Sequence, residues 1–213
     1  MRYSKKQAAM RKPPRLSSDD RREQILAVAT EILGTVGLAN ISMEGLAREC
    51  GVSKALIYVH FPAISAVLDG VAQREFEALD ANGLGAALMF AKTDLAATRS
   101  AHAYFQHVSL RGSVLHMLLI NPSVSSQFSS TTRAMRDGLL RRVAGRIRDG
   151  MGLCAHDAVA AAVLLTSIPE RAGRMVAEGE IDMKTGAQLC ALLTTTTLQA
   201  LASTLNGRVV GAP

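Results

Sequence analysis

Ile41–Phe61, ISMEGLARECGVSKALIYVHF, is the stretch that decides the fold of this 213-residue chain. Ser42 is placed to cap a first helix in which Met43, Leu46 and Ala47 recur at helical spacing. Gly51 can take the left-handed conformation that ends it, and Ser53 can cap a second helix through Tyr58. The result is a helix-turn-helix, or else an ordinary αα-hairpin of the same spacing. The second helix favours the first reading. Lys54, Tyr58 and His60 can reach phosphates and base edges, while Ala55, Leu56, Ile57 and Phe61 offer apolar anchoring surface.

Upstream, Ser18, Asp19 and Asp20 suit a helix start. Ile25, Val28, Ala29, Ile32, Leu33 and Val36 then follow at helical spacing, and Gly37 ends that helix. Beyond Pro62 a longer helix is expected over Ile64–Leu79, with Val67, Leu68, Val71 and Phe76 inward and Arg74, Glu75 and Glu77 mostly outward. Ile25-Leu26 and Ala29–Leu33, then Gly37, Ile41-Ser42, Leu46-Ala47, Gly51-Val52-Ser53 and Tyr58-x-His60-Phe61-Pro62, resemble the DNA-binding domain of TetR/AcrR-type regulators over about Asp20–Leu68. The resemblance implies an all-helical homodimer with a variable ligand-binding C-terminal domain. The chain departs from the family pattern in three places. Gly45 stands where an acid is usual, Ala55-Leu56 replaces a glycine-threonine pair, and Ala63-Ile64 replaces a cap and the lysine that usually meets a phosphate.

The formal net charge of +6 favours an anionic partner, or serves solubility alone. Its distribution says more. Residues 1–16 hold Arg2, Lys5, Lys6, Arg11, Lys12 and Arg15 without an acid, so the remainder sums to zero. This arm reads either as a DNA contact along phosphates or the minor groove, or as a solvated tail. Cys50, Cys154 and Cys190 suit reduced thiols. No apolar run is long enough to span a bilayer, so a cytoplasmic protein is expected.

The expected organisation is all-α: an arm over 1–17, a three-helix helix-turn-helix domain over 18–70, and a larger helical ligand-binding and dimerisation domain over 71–213. A turn near Gly83 precedes helical patterns at about 86–99, 101–120, 130–149, 156–178 and 182–205, and Asn121–Thr132 reads as a loop that could gate a pocket. Arg133, Arg136, Arg141, Arg142, Arg146 and Arg148 read as a solvated face, or as a source of one or two cavity cations. The last two helices are poor in charge, which suggests that a second subunit covers them through Val159, Val163, Leu164, Leu189, Leu193 and Leu201. Pro169 should kink or split the first of them.

Enzyme motifs are absent: no HExxH, GxxxxGK, GxSxG or CxxC occurs, and neither metal nor cofactor is expected. His102, His107 and His116 do not share one helical face. Pocket candidates are Phe90, His102, Tyr104, Phe105, His116, Met117, Phe128 and Met135, with Met89 beside them. On DNA the expected residues are Ser42, Ser53, Lys54, Ala55, Tyr58 and His60, with Arg11, Lys12 and Arg15 from the arm. Two functions remain open. One is a homodimeric repressor that binds a pseudo-palindromic double-stranded operator and is released by a small molecule. The other is a helical protein-interaction module with a vestigial helix-turn-helix.

Overall fold

A computed structural model describes residues 16–90 and 93–209, with side chains over 16–87 and 95–203. Within them the helices are α1 Ser18–Val36, α2 Met43–Glu49, α3 Lys54–His60, α4 Ile64–Ala81, α5 Leu84–Phe90 and α6 Thr93–Arg111. They continue with α7 Val114–Ile120, α8 Pro122–Ser125, α9 Ser130–Met151, α10 Ala155–Ala177 and α11 Met183–Val209. A 3-10 turn over Leu38–Asn40 follows α1, and the described residues contain no strand. The chain is all-α.

The apolar stripe of α1, Ile25, Leu26, Ala29 and Leu33, is buried against Leu46 of α2, Ile57 of α3 and Val67 and Val71 of α4. At Gly70 a Cβ would stand 2.9 Å from Leu26 Cδ2, so the Leu26 side chain of α1 packs directly against α4 there and a larger residue would have to displace it. The same core continues into the second half of the chain. Val114 and Leu118 of α7, Val124 of α8 and Phe128 complete it. The expected boundary near residue 70 therefore falls inside α4, a helix that belongs to both halves.

Glu75 corrects the expectation that its stretch of α4 faces outward. Its carboxylate is buried and is held by Arg111 at the end of α6, with Nε and Nη2 donating to the two carboxylate oxygens at 2.7 and 2.6 Å. His107 Nε2 lies 3.4 Å away and is buried too. Desolvating a carboxylate is costly, and a bidentate guanidinium is the partner best able to offset it. Asp69, six residues earlier on α4, accepts from Ser129 N at 2.9 Å and so ties α4 to the start of α9.

Three more expectations change. No break occurs at residue 100: α6 runs through it and ends at Gly112, whose φ of 75° is left-handed. The stretch 121–132 is no open gate, because Asn121 caps α8 through Ser123 N, Ser129 caps α9 through Thr132 N, and Val124 and Phe128 are buried. Pro169 sits inside α10 without splitting it.

Replacing Arg111 by Met would leave the Glu75 charge buried without its counter-ion. We expect a loss of about 3 kcal/mol, the low end for breaking a buried pair because Arg111 is itself partly solvated. A Tm fall of about 6–12 °C in calorimetry would follow. Burial holds the pKa of His107 below its ordinary 6.5, Glu75 opposing and Arg111 reinforcing. With a depressed folded pKa, the unfolded chain binds the proton more readily. Its contribution is therefore fully present above about pH 6.5 and is lost as the pH falls below it. In urea titrations at pH 7.5 and 5.5, His107→Leu should show a smaller acid-side loss of stability than the parent.

Candidate nucleic-acid interface and effector cavity

Two serine caps and one glycine shape the reading head. Ser42 Oγ accepts from Gly45 N at 3.1 Å and Ser53 Oγ accepts from Leu56 N at 3.2 Å, each satisfying a donor that a helix start leaves free. Between them Gly51 adopts a φ of 66°, and Val52 N donates back to Ala47 O at 2.9 Å, closing α2. Ile57 and Phe61 are fully buried. With that face fixed, α3 turns its other face outward: Lys54 and Ala55 are exposed, Tyr58 is 45% exposed and Val59 76%. A helix about 10–12 Å across matches a major groove about 12 Å wide.

Charge around α3 is arranged by neighbours on other helices. Lys54 is paired with Glu44 of α2 and its ammonium lies 5.8 Å from the Tyr58 ring centroid. Their hydrogen bond raises the Lys54 pKa and lowers that of Glu44. At the other end of α3, Arg22 of α1 donates to His60 O at 3.1 Å and stacks 4.2 Å from the Phe61 centroid. It holds the C-terminus of α3 and adds an exposed cation there. Ala63 starts α4 with no side-chain cap, and Ile64 packs against the core.

A cavity of about 360 Å³ lies among α4, α5, α6, α7, α9, α10 and α11. Its size is within the range of roughly 300–1,000 Å³ typical of small-molecule sites. Phe76 and Leu79 of α4 and Leu115 and Leu119 of α7 form the wall nearest the reading head. Tyr104, Ser100, His116 and Thr194 bring polar atoms into an otherwise largely aliphatic lining. Burial, and then the Glu170 charge, push the Tyr104 phenol well above its ordinary pKa.

The profile described as "Bacterial regulatory proteins, tetR family" matches residues 25–71. The HTH-type transcriptional activator FasR of Mycolicibacterium smegmatis is 30% identical over 164 residues, covering 74% of this chain and 73% of FasR. This chain belongs to the TetR family. The HTH-type transcriptional regulator EthR of Mycobacterium tuberculosis is 43% identical over 58 residues, 27% of either chain. In three dimensions, a TetR-like transcriptional regulator from Rhodococcus sp. RHA1 superposes with a TM-score of 0.67 at 23% identity, over 87% of this chain and 99% of that one. The chain is thus a DNA-binding transcriptional regulator of a family that is not enzymatic.

Within this TetR-family frame the residues singled out from sequence separate. Ser42 and Ser53 serve as caps at the exposed edge of the head, and Lys54, Ala55 and Tyr58 share the outer face of α3 with His60 at its end. Arg11, Lys12 and Arg15 lie outside the described residues, as do the side chains of Met89 and Phe90. Tyr104 and His116 line the cavity, and Met135 borders an open groove beside it between α4 and α9. Four others do not line the cavity. Phe105 is fully buried, its ring lying against Gly186 of α11, Met117 and Phe128 pack on the reading-head core, and His102 is exposed. Among the described residues no cluster could hold a metal ion.

Sequence reasoning passed over Ser100, Thr194, Glu44 and Arg22. Lys54 and Glu44 are ten residues apart, outside any helical repeat, so only the folded turn brings them together. We expect Tyr58→Ala to weaken binding to a selected operator by about 1–3 kcal/mol per subunit, with little change on a scrambled duplex. Lys54→Ala should weaken both duplexes alike, and Ile64→Lys should strengthen both in a salt-sensitive way. Fluorescence anisotropy on the two duplexes reads all three, and normal binding by Tyr58→Ala with no effect of Ile64→Lys would contradict the docking.

Proposed function

We propose that this regulator is a homodimeric, cytoplasmic repressor that places α3 of each subunit in the major groove of a pseudo-palindromic operator and leaves it when a small molecule fills the cavity. One observation carries the reading: α4 and α7 both wall the cavity and pack into the core that holds α3. Displacing either helix from within shifts the reading head. The two heads of a dimer must meet half-sites about one DNA turn apart, roughly 34–36 Å, so a few ångströms at each head suffice to break joint contact.

Dimerisation is supported by the outer face of α10 and α11. Val159, Val163, Leu164, Leu189 and Leu193 are all exposed there, Leu164 at 71%, and Leu192 extends the face. Leu201 is partly buried. An apolar surface of this kind, on two long helices, is what an isologous helix-bundle interface requires. The arm of residues 1–16 adds up to six phosphate-neutralising cations to each subunit. Among the described residues, no single helix is long and apolar enough to cross a membrane.

A second reading, activation of transcription, is favoured by the relative FasR, which is named an activator. Deleting the gene separates the two in a reporter assay, since target expression rises for a repressor and falls for an activator. Selection of duplexes from a random library should enrich an inverted repeat, whereas enrichment of a lone half-site would contradict the dimer. Leu164→Arg and Leu193→Arg should each sediment as a monomer and lose operator affinity, because an unpaired charge would otherwise be buried.

A further inference from the structure

We propose that the cavity selects an uncharged, mainly apolar molecule bearing one hydrogen-bond acceptor, such as a carbonyl, which Ser100 and Thr194 receive together. The proposal rests on the effector reading of the cavity and adds the chemistry of the occupant.

Both hydroxyls are buried, both residues line the cavity, and neither hydroxyl makes a hydrogen bond within the protein. A helical serine or threonine usually satisfies its hydroxyl on a carbonyl one turn back. That solution is used nearby by Ser109, which donates to Phe105 O at 2.8 Å. Thr194 stands close enough to the Cys190 thiol to lower its pKa slightly, against the larger effect of burial, but makes no bond of good geometry with it. Leaving a buried hydroxyl unpaired is unfavourable, so these two are poised to donate to a guest.

The two helices that carry them, α6 and α11, pack side by side and both wall the cavity. Thr98 and Thr195 meet across α6 and α11 at 3.4 Å, and Cys190 Sγ approaches Ala101 O at 3.9 Å. Ser100 and Thr194 lie between those two crossings, on facing helices.

An anionic guest would have to draw its counter-charge from arginines that already have partners. The cations that border the cavity, Arg136 and Arg146, are both on α9; Arg136 is bonded to Asp137 at 2.9 Å, and Arg146 also has a partner. Glu170, a buried carboxylate that accepts from Ser113 Oγ at 2.9 Å and lies 3.8 Å from Arg174, is near enough to contribute to raising the phenol of the cavity-lining Tyr104. A carboxylate placed against Ser100 and Thr194 would be desolvated and would have to compete for a counter-ion that is already engaged.

The test uses the full chain, with the neutral fluorophore Nile red as reporter and three displacers of closely similar size: butyrophenone, butylbenzene and 4-phenylbutyrate, at pH 8. Butyrophenone should displace Nile red at least tenfold more tightly than 4-phenylbutyrate. In the Ser100→Ala, Thr194→Val double variant its affinity should fall at least tenfold, with butylbenzene changed less than twofold. Thr194→Ser, which keeps the hydroxyl, should retain the preference, and unchanged operator affinity in each variant shows that the fold is intact. Equal or tighter binding of 4-phenylbutyrate, or a ketone preference that survives the double variant, overturns the proposal. The two readings fail separately. Butyrophenone binding as described without loosening operator DNA leaves the ligand class standing and removes release, whereas release by 4-phenylbutyrate does the reverse.

Discussion

A carboxylate cut off from water sets the geometry of this regulator. The Arg111 fork donates to both oxygens of the buried Glu75 carboxylate, and that pairing fixes the register of α4 against α6. Residues of α4 before Glu75 bury against the reading head, and residues after it wall the cavity. One ion pair therefore holds a helix whose two ends serve different tasks.

The short helix α7 works in the same way across its width. Val114 and Leu118 enter the reading-head core, while Leu115, His116 and Leu119 reach the cavity. Close-packed interiors do not deform smoothly, so a guest that moves one face of so short a helix moves the other. Helix α8 and Phe128 extend this contact, with Asp69 fastening α4 to the start of α9. The reading head is braced by three attachments as well as by the chain itself.

Local chemistry was legible in the sequence, and long-range pairing was not. Ser42, Gly51 and Ser53 act within a few residues of themselves, and the spacing of Ile57 and Phe61 exposes Tyr58 without reference to the rest of the chain. Helical patterning puts a charge in water and so reads Glu75 outward, whereas its partner Arg111 lies 36 residues away. Aromatic side chains were likewise read as pocket lining, yet Phe105 and Phe128 fill the core, and the unpaired polar groups of the cavity are the small residues Ser100 and Thr194. Such hydroxyls carry no pattern that marks them as unpaired. Charge divides the labour of binding along similar lines: the arm concentrates the net positive charge, which favours any DNA, and the outer face of α3 presents the groups that can tell one sequence from another.

The separation of the two reading heads tests this account most directly. Glu31 is exposed on α1, away from the outer face of α3, and Cys154, exposed at the start of α10, can be replaced by Ser, itself a good cap. In the proposed dimer, a Cys154→Ser, Glu31→Cys variant carrying spin labels then reports the distance between heads by pulsed dipolar spectroscopy. Operator DNA should narrow the distribution, and filling the cavity with butyrophenone should shift its centre by a few ångströms and oppose the effect of DNA. A distribution that is the same with the cavity empty and filled would contradict the coupling of α4 and α7 to the reading head.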